Sequence, residues 1–334
     1  MTNLRCSIDA KADKHENILG VVRYGTSSSD PSITSGFPVV TVHSTARTDE
    51  EFQEVWTTSA PVQSDRDGDI YYAMDGETLF CACRVPESAT YRDSVRAAYE
   101  STLTLVHNLN YPNIFRIWNY VSGINDRNSS GLEIYRDFCH GRAEALSTMQ
   151  GQWTTRLPAA TGIGSLSGGI VIYCLSARTG FPSHFENPHQ IPAYRYPSQY
   201  GPRSPSFARA TMVQHSPNNT HRILYLSGTA SVVGHETAHP GDLRRQFVTT
   251  MENIETLLQS ISTDTGDPLC VNQFRLMKVY VRRSEDMPLV REMLRDALVP
   301  RTQLRLVNAD ICRSDLLLEI EGVLDATDVG HPPT

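Results

Sequence analysis

The segment His235-Glu236-Thr237-Ala238-His239 has the HExxH pattern of zinc proteases. That chemistry needs an α-helix, because only i, i+4 spacing places both imidazoles on one helical face, with the glutamate acting on zinc-bound water. Here Pro240 follows His239 and disfavours helical geometry at that residue, and Gly234 upstream is typical of a turn. We therefore predict a loop between a strand and a helix, whose polar groups are free to line a pocket, and no zinc site.

A second candidate for chemistry is the acidic pair in Leu318-Glu319-Ile320-Glu321. On a strand, Glu319 and Glu321 point to the same face. A carboxylic acid buried in an apolar strand acquires a raised pKa and can act as a general acid at neutral pH. Glu319, between two apolar neighbours, is the stronger candidate for that role and Glu321 the weaker one. The residues leave open the alternative that the pair forms a solvent-facing stripe.

The composition of the chain excludes several classes of protein. The chain has 334 residues, of which 40% are hydrophobic and 20% charged, and its formal net charge is −7. This length and apolar content predict two or three domains with buried cores. The acidic balance argues against a general nucleic-acid binder, and the apolar runs are strand-sized, too short to span a bilayer.

The cysteines and the first residues of the chain indicate a cellular compartment. Seven cysteines form no CxxC pair and no zinc spacing, which is typical of reduced thiols in the cytoplasm. The polar N-terminal residues 1–14 contain no secretory or lipidation signal. We expect a cytoplasmic protein that binds neither membrane nor nucleic acid and needs no metal or organic cofactor.

The elements that must position these residues recur twice along the chain, in the order strand, helix, strand, helix, strand. The first copy is predicted as Gly76–Ala82, Tyr91–Leu109, Phe115–Val121, Ser130–Met149 and Gly168–Ser176. The second copy is predicted as Arg222–Gly228, a helix capped by Asp242, Phe274–Val281, Met287–Leu298 and Asp315–Leu324. The predicted fold class is α+β, each unit being a mixed sheet with two packed helices.

The repeat divides the chain into four parts. We expect an N-terminal partial unit over residues 1–66, a central domain over 67–180, a connector over 181–206 and a C-terminal domain over 207–334. The connector is rich in Pro, Tyr and Ser and lacks periodicity, and loops of this length are often functional.

The second copy resembles the Rid (YjgF-like) family. The resemblance rests on Ser227-Gly228, Gln246, Asn253-Ile254, the strand 278–281, Pro300-Arg301 and the strand 318–323. In that family, trimers place active sites between subunits. The resemblance implies that an arginine at the position of Arg301 binds a substrate carboxylate, and that a glutamate at the position of Glu319 handles a proton or water.

Two Rid-like units in one chain, with the tyrosine-rich segment 194–203 and the small-residue segment 227–236, are similar to the chorismatase family. The resemblance covers residues from about 68 to 325. It implies a monomer with Rid-like units in pseudo-threefold arrangement and one active site between the central and C-terminal domains. Glu319 would protonate the enolpyruvyl methylene of chorismate and so release pyruvate. The first copy has an apolar run, residues 169–173, where the second has Glu319, so only one copy kept the acid.

Residues for binding such a substrate follow from its chemistry, because arginine binds a carboxylate bidentately and stays charged. We predict that Arg142, Arg203 and Arg209 converge in the cleft, with Arg301 as a weaker candidate; for each, a solvated surface charge is the alternative. Further candidates are the hydroxyls of Tyr194, Tyr196 and Tyr200, and the small residues Ala230 and Ser231, which let the backbone approach a flat ring. The tyrosines could equally anchor the connector, and the small residues could serve packing.

Cys312 lies seven residues before Glu319. A cysteine at this position resembles the chorismatase branch that forms 3-hydroxybenzoate, although an inert packing cysteine is the alternative. We therefore expect 3-hydroxybenzoate, with 4-hydroxybenzoate as a further product. Three other functions compete: a hydrolytic chorismatase that forms a dihydroxycyclohexadiene carboxylate, a Rid-type imine deaminase, and a non-catalytic ligand-binding protein.

Overall fold

The computed structural model describes residues 4–8, 17–148, 157–180, 182–214 and 221–327. The described strands form three mixed sheets of five, six and six strands and a separate two-stranded ribbon. Short 3₁₀ helices connect some of the strands, at Thr48–Glu50, Ala193–Arg195, Ser198–Tyr200, Val271–Gln273 and Ser284–Asp286. No α-helix among the described residues is long and apolar enough to cross a membrane.

The first sheet has the strand order β1-β5-β2-β4-β3, with β2 and β4 parallel. Its strands are β1 (Arg5–Ile8), β2 (Asn17–Gly25), β3 (Ser29–Thr34), β4 (Phe37–His43) and β5 (Phe52–Thr58). No α-helix occurs in the described part of this region.

The second sheet has the order β6-β7-β8-β11-β9-β10. Its strands are β6 (Gln63–Asp67), β7 (Ile70–Met74), β8 (Thr78–Val85), β9 (Asn113–Ser122), β10 (Ala159–Ser165) and β11 (Ile170–Ala177). Its helices are α1 (Arg92–Asn108) and α2 (Ile134–Thr148). The buried side chains of α1 and α2 share one apolar core with this sheet.

The third sheet has the order β12-β13-β14-β19-β17-β18. Its strands are β12 (Ser183–Phe185), β13 (Ala210–Gln214), β14 (Arg222–Ala230), β17 (Phe274–Val281), β18 (Gln303–Asn308) and β19 (Leu318–Asp325). The ribbon consists of β15 (Val232–Val233) and β16 (Glu236–Thr237), and the helices are α3 (Leu243–Thr265) and α4 (Met287–Ala297). These helices share an apolar core with the sheet.

The repeat predicted from the sequence is confirmed by the strand orders. In the second and third sheets, six strands follow one another in the same spatial order. In each of them, one strand (β9 or β17) pairs with one parallel and one antiparallel neighbour. In the first sheet, β2 pairs in the same way with β4 and β5. A single apolar core joins the inner faces of all three sheets, which therefore meet in a pseudo-threefold arrangement with the helices outside.

Most predicted element bounds are close to the observed ones, and the largest difference has a local cause. The prediction starts α2 at Ser130, but the helix begins at Ile134. The side-chain oxygen of Asn128 accepts hydrogen bonds from the backbone N–H groups of Ser130 and Leu132, both at 3.0 Å. Because this turn binds the N–H groups, the helix starts only after it. The predicted ends at Met149 and Phe181 lie outside the described residues.

The amphipathic helix of the second copy is confirmed. Asp242 precedes α3, and its carboxylate accepts a hydrogen bond from the backbone N–H of Arg245 at 3.1 Å. The helix is followed by its C-cap residue Gly266, whose φ of 78° is easily adopted by glycine. The predicted apolar face is buried against the third sheet, namely Phe247, Met251, Ile254, Leu258 and Ile261.

Candidate active site

A cavity of about 270 Å³ lies between the second and third sheets and the connector. The start of α2 supplies Glu133, Tyr135 and Arg136. The connector and the start of β13 supply Gln190, Tyr196, Tyr200, Pro205, Phe207 and Arg209. The third sheet and the loop before β19 supply Gly228, Ala230, Val232, Cys312, Arg313, Ser314, Asp315, Leu316 and Glu319.

Glu319 lies in β19 opposite Tyr280 of β17, and its side chain is 4% exposed. In the same register, Tyr24 lies opposite Phe52 in the first sheet and Tyr120 opposite Val171 in the second. The three tyrosines belong together, because the Tyr120 hydroxyl is 2.9 Å from that of Tyr24 and 2.7 Å from that of Tyr280. Only the third sheet therefore has an acid at this position.

The surroundings of Glu319 favour its neutral form. Burial, and to a lesser degree the nearby charge of Glu321, raise the pKa of the Glu319 carboxyl to about 8, although Arg116 and Arg209 act in the opposite direction. The carboxyl group lies against Gly228, where a Cβ atom would overlap Oε1 of Glu319. The site thus holds a carboxyl group that is largely protonated at neutral pH, which is the form required for a general acid.

Glu321 is on the same face of β19 but has the opposite protonation behaviour. Burial alone would raise its pKa, but the cations Lys278 and Arg116 outweigh that effect and lower it. The Nζ atom of Lys278 is 2.7 Å from Oε1 of Glu321, and Nη2 of Arg116 is 2.6 Å from Oε2. Both acids are buried, so the alternative of a solvent-facing acidic stripe is wrong.

Thr161 links this ion cluster to the floor of the cavity. Its hydroxyl accepts a hydrogen bond from Arg116 at 2.6 Å and donates one to Glu321. It also accepts a hydrogen bond from the backbone N–H of Gly228 at 3.1 Å. The glycine that lies against Glu319 is therefore fixed by the same residue that binds Glu321.

Cys312 is placed next to the acid. Its Sγ atom is 4.0 Å from Oε2 of Glu319. Burial and the neighbouring carboxyl of Glu319 raise the pKa of the thiol far above its usual value. The charge of Arg313 favours the thiolate but is outweighed, so the sulfur is a neutral thiol that shapes the cavity beside the acid.

Arg209 is the buried cation of the cavity. Its Nη2 donates hydrogen bonds to the Tyr196 hydroxyl at 2.8 Å and to the Ile191 carbonyl at 3.1 Å. Its buried Nε has no hydrogen-bond partner among the described residues and is 4.0 Å from Oε2 of Glu186. Burial raises the pKa of Glu186 to about 7, and Arg209 and Arg195 act against this rise. Arg209 thus brings a buried positive charge to the wall of the cavity.

Arg313 was missed by sequence reasoning, although it directly follows Cys312. Its guanidinium carbon is 4.2 Å from the centre of the Tyr200 ring and 5.2 Å from that of Tyr196. Its Nη1 donates to the carbonyl of His235 at 2.8 Å. The Tyr200 hydroxyl donates to the same carbonyl at 2.6 Å. This tyrosine therefore anchors the connector, and its ring packs against the guanidinium group of Arg313.

Arg142, Arg203 and Arg301 do not line this cavity, so the structure does not bring the four predicted arginines together at its wall. Arg142 is buried on α2 with its guanidinium carbon 5.4 Å from the centre of the Tyr99 ring. It lies about two helical turns after Tyr135, roughly 10 Å further along the axis. Arg203 lines a separate, exposed depression, and Arg301 lines another cavity and donates to the Asn272 carbonyl at 2.9 Å.

Tyr194 and Ser231 also lie outside the cavity. The Tyr194 side chain is 39% exposed and lines the same depression as Arg203. The Ser231 hydroxyl donates to the carbonyl of Ala238 at 2.9 Å. The side-chain alternation of an extended chain explains why Ala230 lines the cavity while Ser231 points away.

The HExxH segment is not helical, as predicted. Glu236–Thr237 is a short strand, and His239 has a positive φ of 55°. Within the described part of the chain, no group of three or more His, Cys, Asp or Glu side chains could hold a metal ion. His235 instead meets the connector, because its Nδ1 is 3.2 Å from the Tyr200 hydroxyl.

Comparisons with known proteins agree on one family. Residues 54–176 match the family model described as chorismatase FkbO/Hyg5-like, N-terminal. The chain is 46% identical over 317 residues to a 3-hydroxybenzoate synthase of Streptomyces hygroscopicus, covering 92% of each chain. It is 41% identical to a chorismatase of Streptomyces rapamycinicus, covering 93% of this chain and 94% of that one. A crystal structure of a chorismatase superimposes with a TM-score of 0.91 at 39% identity, covering 97% and 98% of the two chains.

Proposed function

The chain belongs to the chorismatase family, and on that basis we propose that it converts chorismate to pyruvate and 3-hydroxybenzoate. The relative named 3-hydroxybenzoate synthase and those named chorismatase are matched over nearly their full length. The two products together contain all the atoms of chorismate. The reaction is therefore redox-neutral and consumes no net water, whereas the hydrolytic alternative adds one water.

The observation that carries the proposal is the buried carboxyl group of Glu319 on the cavity wall, next to Gly228 and Cys312. Release of pyruvate begins when the terminal methylene of the enolpyruvyl ether accepts a proton, which generates an oxocarbenium ion. A carboxyl with a pKa of about 8 is mostly protonated at pH 7 and can donate that proton. The ionised Glu319 that remains then faces the cation, and general acid catalysis of this kind contributes about 10²–10⁴-fold.

The cations of the cavity are proposed to bind the two carboxylates of the substrate. Arg209 supports this role because it is a buried cation on the cavity wall. Arg313 and Arg136 supply the other positive charge, from the loop before β19 and from the start of α2. Arg142 and Arg203, which the sequence predicts for this role, do not line the cavity. Guanidinium groups on different elements can bind two carboxylates at a fixed separation.

Cys312 supports the 3-hydroxybenzoate branch. Its neutral thiol lies 4.0 Å from the proton-donating carboxyl, where the oxocarbenium ion would form. The branches differ in whether water captures this ion or pyruvate leaves with rearrangement and aromatisation of the ring. A sulfur at this point takes space that an attacking water would need. We propose that 4-hydroxybenzoate is at most a minor product.

The active unit is proposed to be a monomer working in the cytoplasm. One chain brings together three sheets around a common core, as its resemblance to the Rid trimer implies. The seven cysteines are free thiols, which is consistent with a reducing compartment.

The test is incubation of the purified chain with chorismate, with pyruvate release coupled to lactate dehydrogenase and the aromatic products separated by chromatography. We expect pyruvate and 3-hydroxybenzoate in equal amounts, and loss of both in Glu319→Gln. Absence of pyruvate would refute the proposal. Turnover of 2-aminoacrylate without turnover of chorismate would favour an imine deaminase instead.

A further inference from the structure

Beneath the cavity, four charged side chains are connected by ion pairs. We call this group the axial charge cluster: Glu54, Arg116, Lys278 and Glu321. The Nζ atom of Lys278 is 2.8 Å from Oε1 of Glu54 and 2.7 Å from Oε1 of Glu321. Arg116 closes the group at 2.6 Å from Oε2 of Glu321. All four side chains are 1–2% exposed, and two anions balance two cations.

The cluster is built from all three sheets. Glu54 comes from β5, Arg116 from β9, and Lys278 and Glu321 from the third sheet. Glu54 pairs with Val22 two residues before Tyr24, and Glu321 pairs with Lys278 two residues before Tyr280. The two acids therefore hold equivalent positions in their sheets and share one lysine.

The first sheet supplies none of the described residues that line the cavity, so its contribution to the active site must be indirect. Glu54 is joined to the cavity through Lys278 and Glu321. Glu321 lies two residues from Glu319 on the same face of β19, and Thr161 joins it to Gly228. The path from Glu54 to Gly228 thus consists of ionic and hydrogen-bonded contacts, and Gly228 packs directly against the carboxyl group of Glu319.

We propose that Glu54 is a positioning residue for the catalytic acid: its carboxylate balances the second cation of the axial charge cluster, so that Glu319 keeps its proton when substrate arrives. This inference rests on the proposed function and deepens it. Under this proposal, the first sheet contributes to catalysis through Glu54, in addition to covering the apolar core.

The physical reason is the weak screening inside the protein. A unit charge several ångströms away from a buried carboxyl changes its proton affinity, because the effective dielectric constant there is far below that of water. If Glu54 lost its charge, Lys278 would be an uncompensated cation, which favours the ionised form of Glu319. Burial alone would lower the pKa of Lys278, but the carboxylates of Glu321 and Glu54 raise it, so the lysine would stay charged.

Several other titratable or charged groups face the two acids. Those that act on Glu319 are Glu321, Arg116, Arg209, Cys312 and Tyr135, with Tyr280 opposite in the register. Those near Glu54 are Lys278, Tyr24, Tyr173, Tyr120 and Cys6. These groups are all present in both Glu54 variants, so a comparison of a neutral with a charged replacement tests the charge of Glu54.

The experiment compares Glu54→Gln, which removes the charge, with Glu54→Asp, which keeps it. Two readouts are used: the alkaline limb of kcat/KM for pyruvate release, and the ¹³C NMR titration of the Glu319 carboxyl carbon, assigned with Glu319→Gln. We expect Glu54→Gln to shift both downward by about 0.5–1 pH unit. We expect Glu54→Asp to leave the pH of the alkaline limb and the NMR titration midpoint unchanged. The same is expected of Tyr173→Phe, which removes one hydrogen bond to Glu54 without changing its charge.

An unchanged titration in Glu54→Gln, or an equal shift in Tyr173→Phe, would overturn the inference. If Glu54→Gln does not fold, the double variant Glu54→Gln, Lys278→Gln is used in its place, because it removes one charge of each sign. Replacing a buried ion pair by neutral groups is often tolerated. The double variant is expected to titrate at or above the wild-type value, and a lower value would overturn the inference. The NMR titration needs no turnover, so failure of the proposed function would appear separately, as absent pyruvate release.

Discussion

Gly228 lies directly beneath the carboxyl group of Glu319, so that a Cβ atom at Gly228 would overlap Oε1 of the acid. The backbone N–H of the same glycine is fixed by Thr161 at 3.1 Å, so the glycine cannot easily retreat. The position of the acid is therefore set by two strands, β14 and β19, that pair through Ala230 and Glu319.

Gly228→Ala is expected to lower kcat about 100-fold or more, because a misplacement of about 1 Å at a reacting group can cost that much. The measurement is pyruvate release under saturating chorismate, with circular dichroism to show that the variant folds. Gly25→Ala, a strand glycine whose added Cβ would meet only the end of the Glu51 side chain at 3.1 Å, is the matched control. Equal activity in the two variants would contradict the role of this contact.

The pH dependence of the reaction follows from the raised pKa of Glu319. Its proton is the one transferred, so kcat/KM should be constant around neutral pH and fall tenfold per pH unit above about 8. Glu319→Gln should lose at least about 100-fold in kcat at every pH. A profile that rises through pH 8 would show that the ionised form of Glu319 is required instead.

Stability should depend on pH in a related way. The pKa of Glu319 is raised from 4.5 to about 8 by burial, so the native state binds this proton more tightly than the unfolded state. Its contribution is fully present below pH 4.5 and is lost as the pH rises to about 8. Glu319→Gln should therefore gain about 2–4 kcal/mol in free energy of unfolding, relative to wild type, between pH 4.5 and pH 8.5. Urea unfolding at both values checks this, and a constant difference would contradict it.

Cys312→Ala is expected to change the ratio of products while retaining part of the total turnover. The thiol is 4.0 Å from Glu319 and is not a nucleophile, so proton transfer should continue without it. Chromatography of the aromatic products measures the ratio, with the exposed Cys270→Ala as control. An unchanged ratio would leave Cys312 with a packing role only.

The sequence predicted the bounds of strands and helices better than it predicted which distant residues come into contact. The bounds of β17 are as predicted, because its short run of mostly apolar residues and its flanking turns are local signals. The identity of Glu319 as a buried acid could be predicted from its apolar neighbours in the strand. By contrast, Arg313, Tyr135 and the link from Glu54 to Lys278 depend on contacts between distant segments, which no local pattern records.

The arginine predictions show the same limit and lead to a paired test. Arg209 and Arg203 are six residues apart on the same segment, but only Arg209 is buried in the cavity, while Arg203 is exposed outside it. Arg209→Lys removes the fork that binds a carboxylate and should raise KM for chorismate about 10–100-fold, with a smaller effect on kcat. Arg203→Lys should leave both constants unchanged.

Arg209 also holds the connector through Tyr196, so binding and anchoring must be separated. Tyr196→Phe removes the hydroxyl that accepts from Arg209 at 2.8 Å but keeps the guanidinium in the cavity. If Arg209 binds the substrate, the increase in KM caused by Arg209→Lys is much larger than the increase caused by Tyr196→Phe. Equal increases in the two variants would mean that Arg209 acts only by anchoring the connector, and the substrate carboxylates would then have to bind Arg313 and Arg136 alone.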